Sequence, residues 1–396
     1  MQVRPRAIID HTALRHNLAC VRRRAPDSRI WAVVKANGYG HGMLEVGTSL
    51  ASADGLAVAR VEEGIRLREA GITRPVLVME GFLSDEELAA ARAHGLELAL
   101  HRPGQVALLE QTRTARPLRI WIEVETGMHR LGFDPQEVPA LLARLSADPQ
   151  VAGPMGLMSH LAQADDPHDP LTQLQCERLR ALDPTAQYHL SIGNSAGILA
   201  CPASRTHWIR PGIMLYGASP LLGRTAAELG LRPVMRLATR LIAVRVLRRG
   251  DAVGYGGTYV CPEDMPVGVA AIGYGDGYPR HAPTGTPVLV GGRRAPLVGR
   301  VSMDMINIDL RGLPAARVGD PVTLWGADLP VDEIAERANT ISYELLCQVT
   351  SRVQMEHRKN HECTRICTNQ LPYADGTPER ENYESRESTR IDSRDS

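Results

Sequence analysis

The chain has 396 residues, of which 45 are Lys or Arg, 45 are Asp or Glu, and 43% are hydrophobic. That length and apolar content suffice for two domains and a substantial core, while zero net charge gives no global field for nucleic acid or an anionic membrane. Phe82 and Phe133 are the only phenylalanines, which argues against base-stacking platforms, and the longest uncharged stretches are too broken by Gly and Pro to span a bilayer.

The opening residues, Met1 to Asp10, carry no apolar signal core and no small-residue cleavage site, so a cytoplasmic protein is expected. Seven scattered cysteines, an odd number, agree with reduced thiols in that compartment. A strand within residues 1–9 is expected to join the later β region. From 10 to 232, short apolar strands alternate with amphipathic helices. Ile30 to Val34 precedes a helix at Met43 to Ala53, Gly55 to Val58 precedes Val61 to Ala70, and Pro75 to Met79 precedes Asp85 to His94. Leu96 to Leu100 then precedes Gln105 to Glu110, and Leu118 to Val124 precedes Gln136 to Leu145. Strand-like runs recur at Pro154 to Ser159, Tyr188 to Ser191 and Trp208 to Arg210. Eight beats over this length predict a (β/α)8 TIM-like barrel, with Ser84 and Asp134-Pro135 as helix openers.

From 233 to 357 the texture becomes mostly β. Strands are expected at Thr239 to Val246, Val267 to Ile272, Pro287 to Val290, Ala295 to Arg300, Met305 to Leu310 and Pro321 to Trp325, with one helix at Val331 to Ala338. The overall class is therefore α/β plus β. Residues 358–396 are polar and nearly devoid of aliphatic side chains, the composition of a disordered tail that activity does not require.

The chemistry starts at Lys35, at the end of an apolar strand and before a glycine-rich turn, Ala36-Asn-Gly-Tyr-Gly-His-Gly42. Desolvation at a barrel mouth lowers a lysine's pKa and makes it a nucleophile toward aldehydes such as pyridoxal phosphate. A lysine that snorkels to solvent would look the same in isolation. Other segments favour a site. Arg130, in Glu125-Thr-Gly-Met-His-Arg130, suits a carboxylate. Ser159-His160 ends another strand. The turn Gly193-Asn-Ser195-Ala-Gly197 and the segment Arg210-Pro-Gly212-Ile213 suit a phosphate, and Val253-Gly-Tyr255-Gly-Gly-Thr-Tyr259 lies in the β region.

In order along the chain, AVVKANGYGHG, SHLAQAD, NSAG, RPGIMLYG, GYGGTY, GYGDGYPR and GRVSMD resemble the alanine racemase family over roughly residues 1–357. The resemblance implies a pyridoxal-phosphate enzyme, a barrel plus a β domain, acting on alanine as a homodimer with composite sites. It implies Lys35 as the cofactor lysine and base for one face of the substrate Cα, and Tyr255, from the partner subunit, for the other. It also implies Tyr39, Ser195, Gly212, Ile213 and Tyr343 around the phosphate, Arg130 and Met303 beside the substrate carboxylate, and Arg210 facing the pyridine nitrogen. His160 is expected to bridge Tyr255 and Arg210. Many members carry a carbamylated lysine where this chain has Glu123, so Glu123 is expected to supply that negative charge directly and to orient Arg130.

Each of these arginines, tyrosines and the histidine also fits an ordinary surface or core role taken singly. Seven matching segments in order outweigh those separate readings. A decarboxylase of basic amino acids would want an acidic partner for the pyridine nitrogen, which Arg210 opposes, and a bare cofactor carrier would need no Tyr255. Tyr274, Tyr343 and Met303 suggest a small pocket. No metal site is expected, because His357, His361, Cys363 and Cys367 do not have a familiar zinc spacing.

Overall fold

The computed structural model describes residues 5–112 and 116–359. A strand β1 (Arg6–Asp10) opens it, and Asp10 turns the chain into the helix His11–Arg24 by accepting the amides of Thr12 (2.7 Å) and Ala13 (3.1 Å). Eight parallel strands then follow: β2 (Arg29–Val33), β3 (Gly55–Val58), β4 (Val76–Val78), β5 (Glu97–Leu100), β6 (Ile120–Glu123), β7 (Gly156–Met158), β8 (His189–Ser191) and β9 (Trp208–Ile209). Each pairs with the next and β9 returns to β2, so the sheet closes into a barrel. Six of these eight strands are buried throughout, and four of them are wholly apolar, because helices cover one face and the barrel interior the other.

The barrel interior is packed around three indoles. Trp31 stacks on Trp208 with ring centroids 4.3 Å apart, and Trp121 meets both edge-on at 6.1 and 6.3 Å. Glycines on neighbouring strands make the room. A Cβ at Gly55 would lie 2.1 Å from the Trp31 ring, and one at Gly156 would lie 2.2 Å from Trp121.

The β region is organised by β10 (Met235–Leu247), long enough to serve two sets of neighbours. Its first half pairs with β1 and with β17 (Pro321–Trp325), and its second half with β13 (Met265–Ala270), across a register shift between Leu241 and Ala243. A short hairpin, β11 (Ala252–Val253) and β12 (Tyr259–Val260), precedes β13. With β14 (Pro287–Val290), β15 (Arg293–Val298) and β16 (Ile306–Asp309), the pairings run β10-β13-β16-β15-β14-β17 and back to β10. Outside that ring, β1 carries β18 (Gln354–Arg358) in parallel on its other edge.

Several local expectations change. The helix expected from Asp134-Pro135 begins at Val138; Asp134 instead folds a preceding turn, accepting the Gln136 amide at 2.8 Å, and Pro139 sets the first helical turn. Helices Leu171–Ala181, Ser195–Ala200 and Ser342–Cys347 were not anticipated. His357 sits in β18, its Nδ1 2.9 Å from Nε2 of His11. Residues 360–396, with His361, Cys363, Cys367 and most of the expected tail, lie outside the described residues. No described helix is long and apolar enough to cross a membrane.

Candidate active site

Lys35 emerges just past β2, at the C-terminal mouth of the barrel. The amides of Gly38 and Gly40 bond back to the carbonyls of Val34 and Ala36. The bonds look helical, yet Ala36, Asn37, Gly38 and Tyr39 have φ of 52°, 54°, 64° and 51°. This is a left-handed turn, which costs about 1–2 kcal/mol for each non-glycine residue. Its neighbours hold it there. The Glu63 carboxylate accepts the amides of Ala36 and Ala59, both at 2.8 Å, and Asn37 Oδ1 accepts that of Met43 at 3.1 Å. His41 Nδ1 donates to the carbonyls of Gly38 (3.1 Å) and Tyr39 (2.8 Å). Such over-determined strain is characteristic of functional turns. Burial, reinforced by the Arg130 charge, lowers the Lys35 pKa below the ordinary lysine range.

The turn folds Tyr39 back beneath the mouth. Its ring stacks on Tyr216 at 4.7 Å and lies 6.0 Å from Tyr343 of the helix Ser342–Cys347. Tyr216 in turn donates to the Val33 carbonyl at 2.9 Å, tying this stack to β2. A Cβ at Gly212 would fall 2.4 Å from the Tyr39 hydroxyl, so only glycine leaves that hydroxyl its place. Ser195 Oγ accepts the amides of Gly212 (2.9 Å) and Met214 (3.3 Å), which leaves its own proton to donate onward. Ile213 opens the short helix Ile213–Tyr216 at this point. Burial pushes the phenols of Tyr39 and Tyr343 above the ordinary tyrosine range, so both remain neutral donors. The chemistry of this cluster suits a small multiply charged anion.

Arg210 is buried at the end of β9. One terminal nitrogen donates to Ser191 O (2.9 Å) and Oγ (2.6 Å), and the other to Ser159 O (2.5 Å) and His160 Nδ1 (3.4 Å). Those bonds use the four terminal protons, and Nε–H has no hydrogen bond among the described residues. Burial draws the Arg210 pKa down to about 10, against the Glu123 charge. His160, pushed down to about 3 by burial and then by Arg210, is neutral. Glu123 is 6% exposed at the end of β6, and burial raises its pKa despite Arg210 and Arg130. No ion pair joins Glu123 to Arg130 among the described residues. Arg130 is exposed and makes no hydrogen bond among the described residues.

Two expected residues stand apart. Tyr255 is 70% and Met303 52% exposed, and neither side chain bonds to the mouth of its own barrel. His160 consequently meets Arg210 but not Tyr255. Sequence reasoning missed Tyr216 and His41, although both lie in motifs it singles out, and missed Glu63 and Ser191, which carry no local signal.

Residues 9–220 match the alanine racemase N-terminal domain and residues 234–357 the alanine racemase C-terminal domain. An alanine racemase from Nitrosococcus oceani is 56% identical over 349 residues, 88% of this chain and 98% of that protein. One from Coxiella burnetii is 48% identical, covering 89% and 98% respectively. The crystal structure of biosynthetic alanine racemase from Pseudomonas aeruginosa superposes with a TM-score of 0.88 at 46% identity, covering 90% of this chain and all of that one.

Proposed function

This chain belongs to the alanine racemase family, and from that premise we propose that it interconverts L- and D-alanine with pyridoxal 5′-phosphate, supplying D-alanine for peptidoglycan in the cytoplasm. The observation that carries the cofactor assignment is Arg210, a buried guanidinium whose one unspent N–H has no hydrogen bond among the described residues. The glycine cradle at Gly212 and the hydroxyls of Tyr39 and Ser195 beside it, with Ile213 at the head of its helix and the Tyr343 ring next to Tyr39, fit the phosphate.

When bound through Lys35, pyridoxal phosphate supplies an electron-withdrawing ring that acidifies the substrate Cα–H. Everything else falls to the chain. Arg210 would hold the pyridine nitrogen through its remaining N–H, and a guanidinium that does not give up a proton would keep the ring unprotonated, limit electron withdrawal and disfavour side reactions. Arg130 takes the substrate carboxylate, with Met303 alongside, and Glu123 balances the arginine charge behind it. Lys35 Nζ, already lowered in pKa, exchanges the Cα proton on one face.

Inversion needs a second base on the opposite face. Tyr255 is the candidate, and its exposure suits delivery to a partner subunit, where His160 and Arg210 would meet it. The protein is therefore proposed to act as a homodimer with composite sites.

Complementation tests this. Lys35→Ala and Tyr255→Phe should each be inactive alone. Co-expressed, they should recover about a quarter of wild-type D-alanine formation, because half the dimers are mixed and each holds one intact site. Full activity in either single variant, or no recovery on mixing two folded variants, would overturn the reading.

A further inference from the structure

The β region ends in three loops, 273–277, 302–305 and 348–353, joined through one side chain. Arg352 Nε lies 3.3 Å from Asp276 Oδ1, and its Nη2 donates to Asp304 Oδ1 at 2.5 Å. Asp276 is 4% exposed, and its second oxygen accepts the Gly273 amide at 3.0 Å. Backbone bonds stitch the same loops: Tyr274 N to Ser302 O (3.0 Å), Gly275 N to Met303 O (2.9 Å) and Thr350 N to Asp276 O (3.2 Å). Thr350 Oγ1 donates to Gly275 O at 3.0 Å. The fit is tight. A Cβ at Gly275 would lie 2.4 Å from Arg352 Nη1, and one at Gly277 would lie 2.3 Å from the Gln348 carbonyl.

Two of these loops present Tyr274, 40% exposed, and Met303, 52% exposed, outward from their own subunit. The third continues from the helix that holds Tyr343 against Tyr39. We propose that Arg352 is a positioning residue that clamps the Tyr274 and Met303 loops in the geometry they present to the partner's substrate pocket. This rests on the composite-site reading above. Arg352 touches no substrate; it acts through Met303 and Tyr274. A half-exposed ion pair alone contributes little to stability. Here, however, one guanidinium bridges a buried carboxylate on one loop to an exposed carboxylate on the next, which fixes their separation.

The test uses three variants of the full chain, with alanine kinetics, cofactor affinity and Tm measured for each. Asp304→Asn leaves the Arg352–Asp276 pair intact and should raise KM for alanine several-fold, with kcat within about twofold and cofactor affinity unchanged. Arg352→Ala should raise KM on the order of tenfold or more, and Arg352→Lys, which keeps the charge but not the fork, should fall between. Mixed dimers add a readout that general destabilisation cannot mimic. Placed on the Lys35→Ala chain, which lends Tyr255 to the surviving site, Arg352→Ala should raise KM; placed on the Tyr255→Phe chain, it should not. Equal effects from both chains, or a lowered Tm with unchanged KM in every variant, would overturn the proposal. A wild-type protein without racemase activity would instead overturn the function it rests on.

Discussion

Gly212→Ala tests the cofactor cradle with the smallest change. The new methyl would sit 2.4 Å from the Tyr39 hydroxyl and 3.1 Å from Cζ. Ordinary contact begins near 3.4 Å, so the phenol must give by about 1 Å. It has little freedom, because its ring is stacked on Tyr216 and its backbone is set by a left-handed turn held by Glu63 and His41. Overpacking of this kind costs about 1–3 kcal/mol, which would weaken cofactor binding about 5- to 150-fold. The assay is a titration of apoprotein with pyridoxal phosphate, followed by the visible absorbance of the bound form, alongside thermal unfolding. Removing the hydroxyl should relieve the clash, so Tyr39→Phe combined with Gly212→Ala should unfold at a higher temperature than Gly212→Ala alone, while the lost phenol donor keeps cofactor binding weak. An unchanged affinity and Tm in Gly212→Ala would refute the cradle, as would a double variant no more stable than the single.

Glu123→Gln should weaken alanine affinity several-fold by removing the charge opposite Arg130; an unchanged KM would sink that role. Because burial raises the Glu123 pKa, wild-type affinity should fall as pH drops through that raised value, and the Gln variant should lack that step. His41 is fully buried with its pKa pushed from 6.5 to about 4, so between those values the unfolded chain binds a proton that the folded chain refuses. Stability should therefore fall as pH falls through 6.5 toward 4, by up to about 3 kcal/mol, in chemical denaturation; His41→Asn, which keeps a donor, should flatten that slope. Ending the chain before Lys359 should leave racemase activity intact, and its loss would refute dispensability of the remainder.

The barrel was legible because parallel strands covered on both faces read as unbroken apolar runs. Gly55–Val58, Pro287–Val290 and Pro321–Trp325 have the expected bounds. The helix His11–Arg24 was not legible, since Asp10 looked like the start of the strand-helix rhythm and not like a cap. Lys35, Ser195, Arg210 and Gly212, which the structure brings to the barrel mouth, all lie in motifs legible in the sequence. The left-handed turn was not, because Ala36 and Asn37 do not announce positive φ; Glu63 holds it from the helix after β3 and His41 from just beyond the turn. That Glu123 is buried while Arg130 is exposed, with no described ion pair between them, was likewise not readable from either motif.

The most direct test of the central claim is D-alanine formation from L-alanine by the purified full chain, with and without added pyridoxal phosphate. Racemisation that depends on the cofactor and vanishes in Lys35→Ala is the predicted result. A protein that binds pyridoxal phosphate at Lys35 yet forms no D-alanine would contradict it.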